Sequence, residues 1–193
     1  MYEYIRGKII ECNPANIVIE AGEIGYFINV SLNTYSKLNG KKEGMLLLHQ
    51  IVRDDAHLLY GFEDKAERDL FRNLISVNGV GSTTAIMMLS SLTPEEIANA
   101  VATENVAVLK GVKGIGAKTA QRIIIDLKDK LGKLYESDQI LPLADNTILN
   151  ESLSALVMLG FGKKDAEKVI SGILKEQPQA TVEDVIKLAL KRL

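Results

Sequence analysis

The sequence predicts an α+β protein of several small units in series: a five-stranded β-barrel, a helical unit and a three-helix bundle. Three observations carry this. Short apolar–polar alternations lie between turn signals as far as Phe62, the apolar period lengthens to about 3.6 beyond Asp64, and a second set of helical stripes follows a polar, proline-containing stretch. A chain of 193 residues is long enough for two or three such units, each with its own core.

The first unit, 1–64, contains five alternating runs: Tyr4–Glu11, Asn16–Glu20, Tyr26–Val30, Met45–Val52 and Leu58–Phe62. Asn13-Pro14, Gly22–Gly25 and Asn39-Gly40 separate them, residue pairs that favour tight turns. Five strands are too few for a two-sheet sandwich and fit a compact barrel of the OB type.

The second unit, 65–134, is helical, with Ala66, Leu70, Leu74 and Val77 spaced to line one face. Thr93-Pro94-Glu95-Glu96 predicts a helix start: Thr93 as N-cap, Pro94 at the first helical position and acids in the first turn. Helical pattern continues to about Leu131. Tyr135–Asn146 has polar residues, one proline and no sustained period, and reads as a flexible linker, 135–146. The third unit, 147–193, carries three apolar stripes: Leu153, Leu156, Val157 and Leu159; Ala166, Val169, Ile170, Ile173 and Leu174; and Val182, Val185, Ile186, Ala189, Leu190 and Leu193. Gly160 and Gly162 divide the first two and Gln177-Pro178-Gln179 the second two, which gives a small UBA-like three-helix bundle.

Composition excludes several function classes. With one cysteine, Cys12, the chain cannot close an internal disulfide, and His49 and His57 cannot complete a zinc site with it. No metal or other cofactor is expected, and the fold must rest on packing alone, as suits a reducing cytoplasm. Glu3, Arg6 and Lys8 interrupt the N-terminal segment, and no stretch approaches the roughly 18 apolar residues of a membrane span, so neither export nor a membrane location is expected.

The net charge of −2 is unevenly spread. Residues 1–64 hold 6 basic and 9 acidic side chains, 65–133 hold 10 and 7, and 134–193 hold 7 and 9. Within the middle segment, 110–133 carries Lys110, Lys113, Lys118, Arg122, Lys128, Lys130 and Lys133 against Asp126 and Asp129, a local +5. Such a patch on a near-neutral protein is a candidate anion site.

The same unit contains an internal repeat at an offset of 35 residues. Leu74-Ile-Ser-Val-Asn-Gly79-Val-Gly81-Ser-Thr-Thr84-Ala85 aligns with Leu109-Lys-Gly-Val-Lys-Gly114-Ile-Gly116-Ala-Lys-Thr119-Ala120. Each copy runs from an apolar helix through Gly-apolar-Gly into another helix, whose first amides have no intrahelical partner and can hold a phosphate oxygen. Three other readings compete. A plain helix cap needs no ligand, but duplication with basic flanks weighs against it. A dinucleotide fingerprint fails because Thr84 and Thr119 occupy its last glycine position. A P-loop fails because Ala117 separates Gly116 from Lys118, and the first copy has no lysine there.

The paired Gly-apolar-Gly turns at 79–81 and 114–116 resemble the helix-hairpin-helix motif, which binds DNA backbone without reading sequence. Together with Val52-Arg-Asp-Asp-Ala-His-Leu-Leu-Tyr-Gly-Phe62 at the barrel's end, Asn78-Gly-Val-Gly81, Lys113-Gly-Ile-Gly-Ala-Lys-Thr119 and the C-terminal bundle, they make the whole chain resemble the bacterial RuvA family. Its members are the Holliday-junction-binding subunits of a branch-migration complex serving recombination and DNA repair. The resemblance implies a non-catalytic homotetramer, or two tetramers face to face as an octamer, on which the junction lies open and square. RuvB, a hexameric ATPase, is the implied motor, and RuvC, a resolvase, a further partner.

Carried over by motif, the DNA-facing groups are Gly79, Gly81, Ser82, Gly114, Gly116, Ala117, Lys118 and Thr119, with Arg122 one turn on. Asp54 and Asp55 match the family's acidic pin, which opposes phosphates at the junction centre. The competing readings are Mg²⁺ ligands of a nuclease and a plain polar turn. Where the family often has a lysine after the first Gly-Val-Gly, this chain has Ser82-Thr83-Thr84, and Arg72 or Lys110 is expected to compensate. The resemblance makes the C-terminal unit the motor-docking module, with Leu156, Leu159, Phe161 and Leu188 as partner contacts, although core packing accounts for each of them singly. The alternative of another class is a helix-hairpin-helix repair nuclease or glycosylase, for which Glu104, Asp126 and Asp129 are the only nearby acids.

Overall fold

A computed structural model of the chain describes residues 2–138, 144–177 and 179–193, with side chains described outside 129–138 and 144–147. It divides into two compact units, Met1–Leu134 and Tyr135–Leu193.

The first unit opens with β1 (Tyr4–Asn13), β2 (Asn16–Ala21) and β3 (Ile24–Val30), and continues through α1 (Leu32–Leu38) to β4 (Glu43–Val52) and β5 (His57–Phe62). The strands close a barrel in the order β1-β2-β3-β5-β4, with β3 and β5 parallel and the other pairs antiparallel. This is the OB-type barrel. Closure depends on β1, which pairs with β4 over Tyr4–Lys8 and with β2 over Lys8–Asn13. A register shift between Ile9 and Glu11 bends the strand from one partner to the other. Strand alternation turns Ile17, Ile19, Ile28, Val30, Leu46 and Leu48 inward, where they pack with Ile5 and Leu38.

The helix α1 lies between two of the predicted strands and has no counterpart in the alternation pattern. Ser31 caps it by accepting from the Thr34 amide, and only Thr34 and Leu38 of its seven residues are buried. So small an apolar face gives little periodic signal.

The helical part comprises α2 (Lys65–Ile75), α3 (Ser82–Ser91), α4 (Pro94–Ala102), α5 (Val106–Lys110) and α6 (Ala117–Asp138). Thr93 caps α4 in a full capping box with Glu96, as its sequence predicts. On α2 the expected stripe is displaced: Ala66 is exposed, and Glu67, Arg68 and Phe71 are buried beside Leu70 and Leu74. The displacement arises because α2 packs on the barrel as well as on the other helices. Tyr60 and Phe62 of β5 each stand 5.0 Å, ring to ring, from Phe71, and both belong to the helical core rather than the barrel interior.

Polar groups lock the same contact. The buried Glu67 carboxylate accepts from the Ser31 hydroxyl and, at 2.6 Å, from that of Thr34. Asn33 donates to the carbonyls of Leu89 (2.6 Å) and Leu92 (3.2 Å) at the end of α3, and Lys37 meets Asp64 at 2.6 Å. Burial pushes the Glu67 carboxyl above its ordinary value of 4.5, although the two hydroxyls pull it back. The fold therefore favours the protonated acid, and this contribution, complete below pH 4.5, is lost as pH rises through the raised value. Glu67→Gln removes the titration, so its stability deficit against wild type is expected to shrink as pH rises from 4.5 through the raised value. Thermal melts followed by tyrosine near-ultraviolet dichroism report this, since five of the six tyrosines lie in the first unit. A deficit that does not change with pH would contradict the account.

The second unit contains α7 (Ala144–Met158), α8 (Lys163–Glu176) and α9 (Val182–Ala189) around Leu156, Ala166, Ile170, Ile173, Ala180, Val185 and Ala189. Of the stretch read as a linker, α6 extends through Asp138 and α7 opens at Ala144, while 139–143 lie outside the described residues. Among the described residues, no helix is long and apolar enough to cross a membrane.

Candidate nucleic-acid interface

The two copies of the repeat fold alike, bond for bond. In the first, the amides of Val77, Val80 and Ala85 donate to the carbonyls of Leu74, Val77 and Gly81 at 3.0, 3.0 and 2.9 Å. In the second, Val112, Ile115 and Ala120 donate to Leu109, Val112 and Gly116 at 3.2, 3.1 and 2.9 Å. Leu74, Val77, Val80 and Ala85 are all buried, as are Leu109, Val112, Ile115 and Ala120. Each hairpin is thus nailed to the core by four apolar residues. The reversal occurs at Gly79 (φ 90°) and Gly114 (φ 89°), in backbone conformations that an L side chain rarely adopts.

The second glycine of each copy differs. Gly81 caps α3 at φ −84°, which any residue can adopt, and a Cβ placed on Gly81 or Gly116 would meet nothing within 4 Å. The fold alone does not require glycine at either place. Gly81 makes no side-chain cap bond to α3, and Gly116, next before α6, has no side chain to make one; both lie at the positive ends of helices.

Most of the expected site residues gather on this surface. Gly79, Gly81, Gly114, Gly116, Ala117 and Lys118 are exposed, Thr119 is half-buried, and Lys110 and Lys113 are exposed nearby. Ser82 differs: the residue is buried, and its hydroxyl accepts from that of Tyr60 at 2.9 Å, so its side chain is turned to the barrel. Arg122 is exposed, and its guanidinium donates to the Asn78 carbonyl of the other hairpin at 3.0 Å. Arg72 does not serve the first hairpin. It reaches the Leu48 carbonyl at 3.4 Å and lies 3.8 Å from Glu3, against the barrel.

Asp54 and Asp55 sit exposed at the tip of the β4–β5 hairpin, which the Arg53 amide closes on the Ala56 carbonyl at 2.8 Å. Glu104, one of the acids a nuclease would need, is held by Lys128, which lowers its carboxyl below the ordinary value. Among the described residues, no group of three or more His, Cys, Asp and Glu could hold a metal ion. His49 packs edge-on to Phe71 at 5.5 Å, and burial, with Arg72 and Arg68 nearby, lowers its pKa. Cys12 is half-buried, and burial raises its thiol.

In the second unit, Leu156 is fully buried in the bundle core and presents no surface, which corrects its assignment as a partner contact. Phe161 and Leu188 pack partly against that core, and Leu159 is exposed. The sequence reading missed Met158, 89% exposed, and neighbouring Val157, also exposed. The available signal was Val157-Met158-Leu159 itself, since three consecutive apolar residues ending a helix cannot all face one core.

Known proteins show the same composition of parts. Residues 1–61 match the RuvA N terminal domain, 71–129 a SAM-like helix-hairpin-helix tandem, and 147–193 the RuvA C-terminal domain. The chain is 51% identical over 193 residues to the Holliday junction branch migration complex subunit RuvA of Christiangramia forsetii, covering 100% of both chains. The proteins of the same name from Bacteroides thetaiotaomicron, 50% identical over 201 residues, and Flavobacterium psychrophilum, 47% over 193, are likewise covered completely, as is this chain. A barrel, two superposable hairpins and a terminal bundle, matched in order and at such identity from end to end, place the chain in the RuvA family.

Proposed function

We propose that this chain binds four-way Holliday-junction DNA without sequence specificity and acts as the junction-holding subunit of a branch-migration complex in the cytoplasm. The observation that carries the reading is the pair Gly81 and Gly116. Both are exposed glycines where the fold permits a side chain, each next before a helix N-terminus, and both therefore suit a phosphate backbone approaching closely from outside. Contacts confined to phosphate are blind to sequence, as sliding a crossover through arbitrary DNA requires. The names of the relatives agree with this reading.

The finer proposal divides the labour by domain. The barrel, 1–64, brings Asp54 and Asp55 to the crossover, where four copies in a homotetramer repel phosphates and hold the junction open and square. The hairpin domain, 65–134, grips one arm per subunit. Beyond a linker at 135–146, the bundle, 147–193, docks the RuvB ATPase through apolar residues outside its core, among them Leu159 and Met158. The chain itself carries out no catalysis, and ATP hydrolysis belongs to RuvB. A second tetramer, making an octamer, and the RuvC resolvase are further partners in this reading.

The test is a competition gel shift at about physiological salt between a four-way junction and linear duplex with the same arms. A strong preference for the junction is expected, with a log–log salt slope of about −0.9 per phosphate neutralised. Incubation with Mg²⁺ should leave the junction intact. Strand cleavage or base release would favour a hairpin-bearing nuclease or glycosylase, and equal affinity for both DNAs would remove the junction from the proposal.

A further inference from the structure

We propose that Tyr60 is a positioning residue, whose hydroxyl fixes the first hairpin against the strand pair carrying Asp54 and Asp55; the inference rests on the junction-binding reading above. Tyr60 lies on β5 opposite His49 of β4, five residues along the chain from Asp55. Its ring is buried against Phe71, and its hydroxyl donates to Ser82 at 2.9 Å. Ser82 is the first residue of α3, the helix that follows the first hairpin's Gly81 cap.

Neither polar group is explained by packing. Tyr60 belongs to an apolar cluster and its ring lies 5.0 Å from that of Phe71, an environment in which phenylalanine would bury equally well. Ser82 corresponds in the repeat to Ala117, which is exposed and has no hydroxyl, so the hairpin motif does not need an oxygen there. What the two groups supply together is a directional bond from the barrel to the N-terminus of α3.

A second bond extends the tie. Arg122, on the first turns of α6, donates to Asn78 at 3.0 Å, and a Cβ on Gly79 would stand 3.8 Å from its Nη1. The helix of the second hairpin is thereby fastened to the turn of the first. Beside the shared core and the Glu67 and Asn33 bonds, these two hydrogen bonds, Tyr60–Ser82 and Arg122–Asn78, tie the barrel to the N-terminus of α3 and the second hairpin's helix to the first turn.

Such a tie serves discrimination more than affinity. A linear duplex needs only a hairpin, whereas a junction must meet both hairpins and the acidic turn at once, and simultaneous engagement depends on their spacing. Loosening the tie lowers the effective concentration of the later contacts without removing any phosphate contact.

Tyr60→Phe in the full chain tests this directly, in the gel-shift competition run well below the melting midpoint. The junction-over-duplex preference is expected to fall about fivefold, with duplex affinity and its salt slope unchanged. Ser82→Ala should do the same, and the double variant should be no worse than either single one, the signature of a shared bond. An unchanged preference in Tyr60→Phe overturns the proposal, as does an equal loss on both DNAs, which would mark the hydroxyl as merely supporting the fold. A wild-type protein without junction preference would instead sink the functional reading itself, and this inference with it.

Discussion

Gly114→Asp combined with Gly116→Asp is expected to weaken junction binding at least about a hundredfold, while the barrel and the C-terminal bundle stay folded. Each charge-assisted bond from an amide to phosphate contributes about 1.5–3 kcal/mol, so losing one hairpin's grip already approaches that factor. The new carboxylates add repulsion where the backbone must come closest. Part of the effect is conformational: Gly114 lies at φ 89°, where a side chain costs about 1–2 kcal/mol. A gentler pair separates folding from binding. Gly81→Ala with Gly116→Ala puts each methyl into open space, so the unfolding free energy should fall by no more than the loss of two glycine caps, about 1 kcal/mol each. Junction affinity measured by fluorescence anisotropy should still drop by about tenfold or more, because the methyls stand where phosphate would lie. Retained affinity in the alanine pair would show that these glycines serve only as turns.

The repeat makes this surface legible in the sequence alone. Leu, Val, the glycines, Thr and Ala recur because each copy must nail the same four apolar anchors to one core and reverse the chain at the same φ. Strands were legible for a similar reason, since alternation follows directly from a barrel with one dry side. What sequence hid was everything that depends on a partner distant along the chain. Nothing local marks Glu67 as buried between Ser31 and Thr34, 36 and 33 residues away, or Ser82 as facing Tyr60 rather than DNA. The helix α1 escaped because its polar residues are consumed in bonds, Asn33 to the end of α3, Thr34 to Glu67 and Lys37 to Asp64, and leave few apolar ones to set a period. Leu156 shows the opposite failure. Its stripe was visible, but which members face the core depends on how three helices meet, and that fixes Leu156 inside and Leu159 outside.

Gly7→Ala is expected to have the largest effect on folding of any single methyl added to the barrel. A Cβ there would stand 1.9 Å from the Glu20 carbonyl oxygen and 2.9 Å from its carbon. Both atoms are backbone, so no rotamer change can relieve the clash. Gly7 lies on the segment of β1 paired with β4, one residue before Lys8, which pairs with both β4 and β2. Making room means parting β1 from β2 at the place where the barrel closes, with a cost beyond the about 4–5 kcal/mol that marks exceptional substitutions. Gly25→Ala is the matched control: its methyl meets Val18 at 3.5 Å, an ordinary contact, and should change stability by less than about 1 kcal/mol. Thermal melts and soluble yield of the two variants distinguish the outcomes, and a stable Gly7→Ala protein would refute the account of closure. The damage should not stop at the barrel. Tyr60 and Phe62 of β5 supply part of the helical core, so a barrel that cannot close withdraws two aromatic side chains from beneath α2 and releases the first hairpin from its anchor.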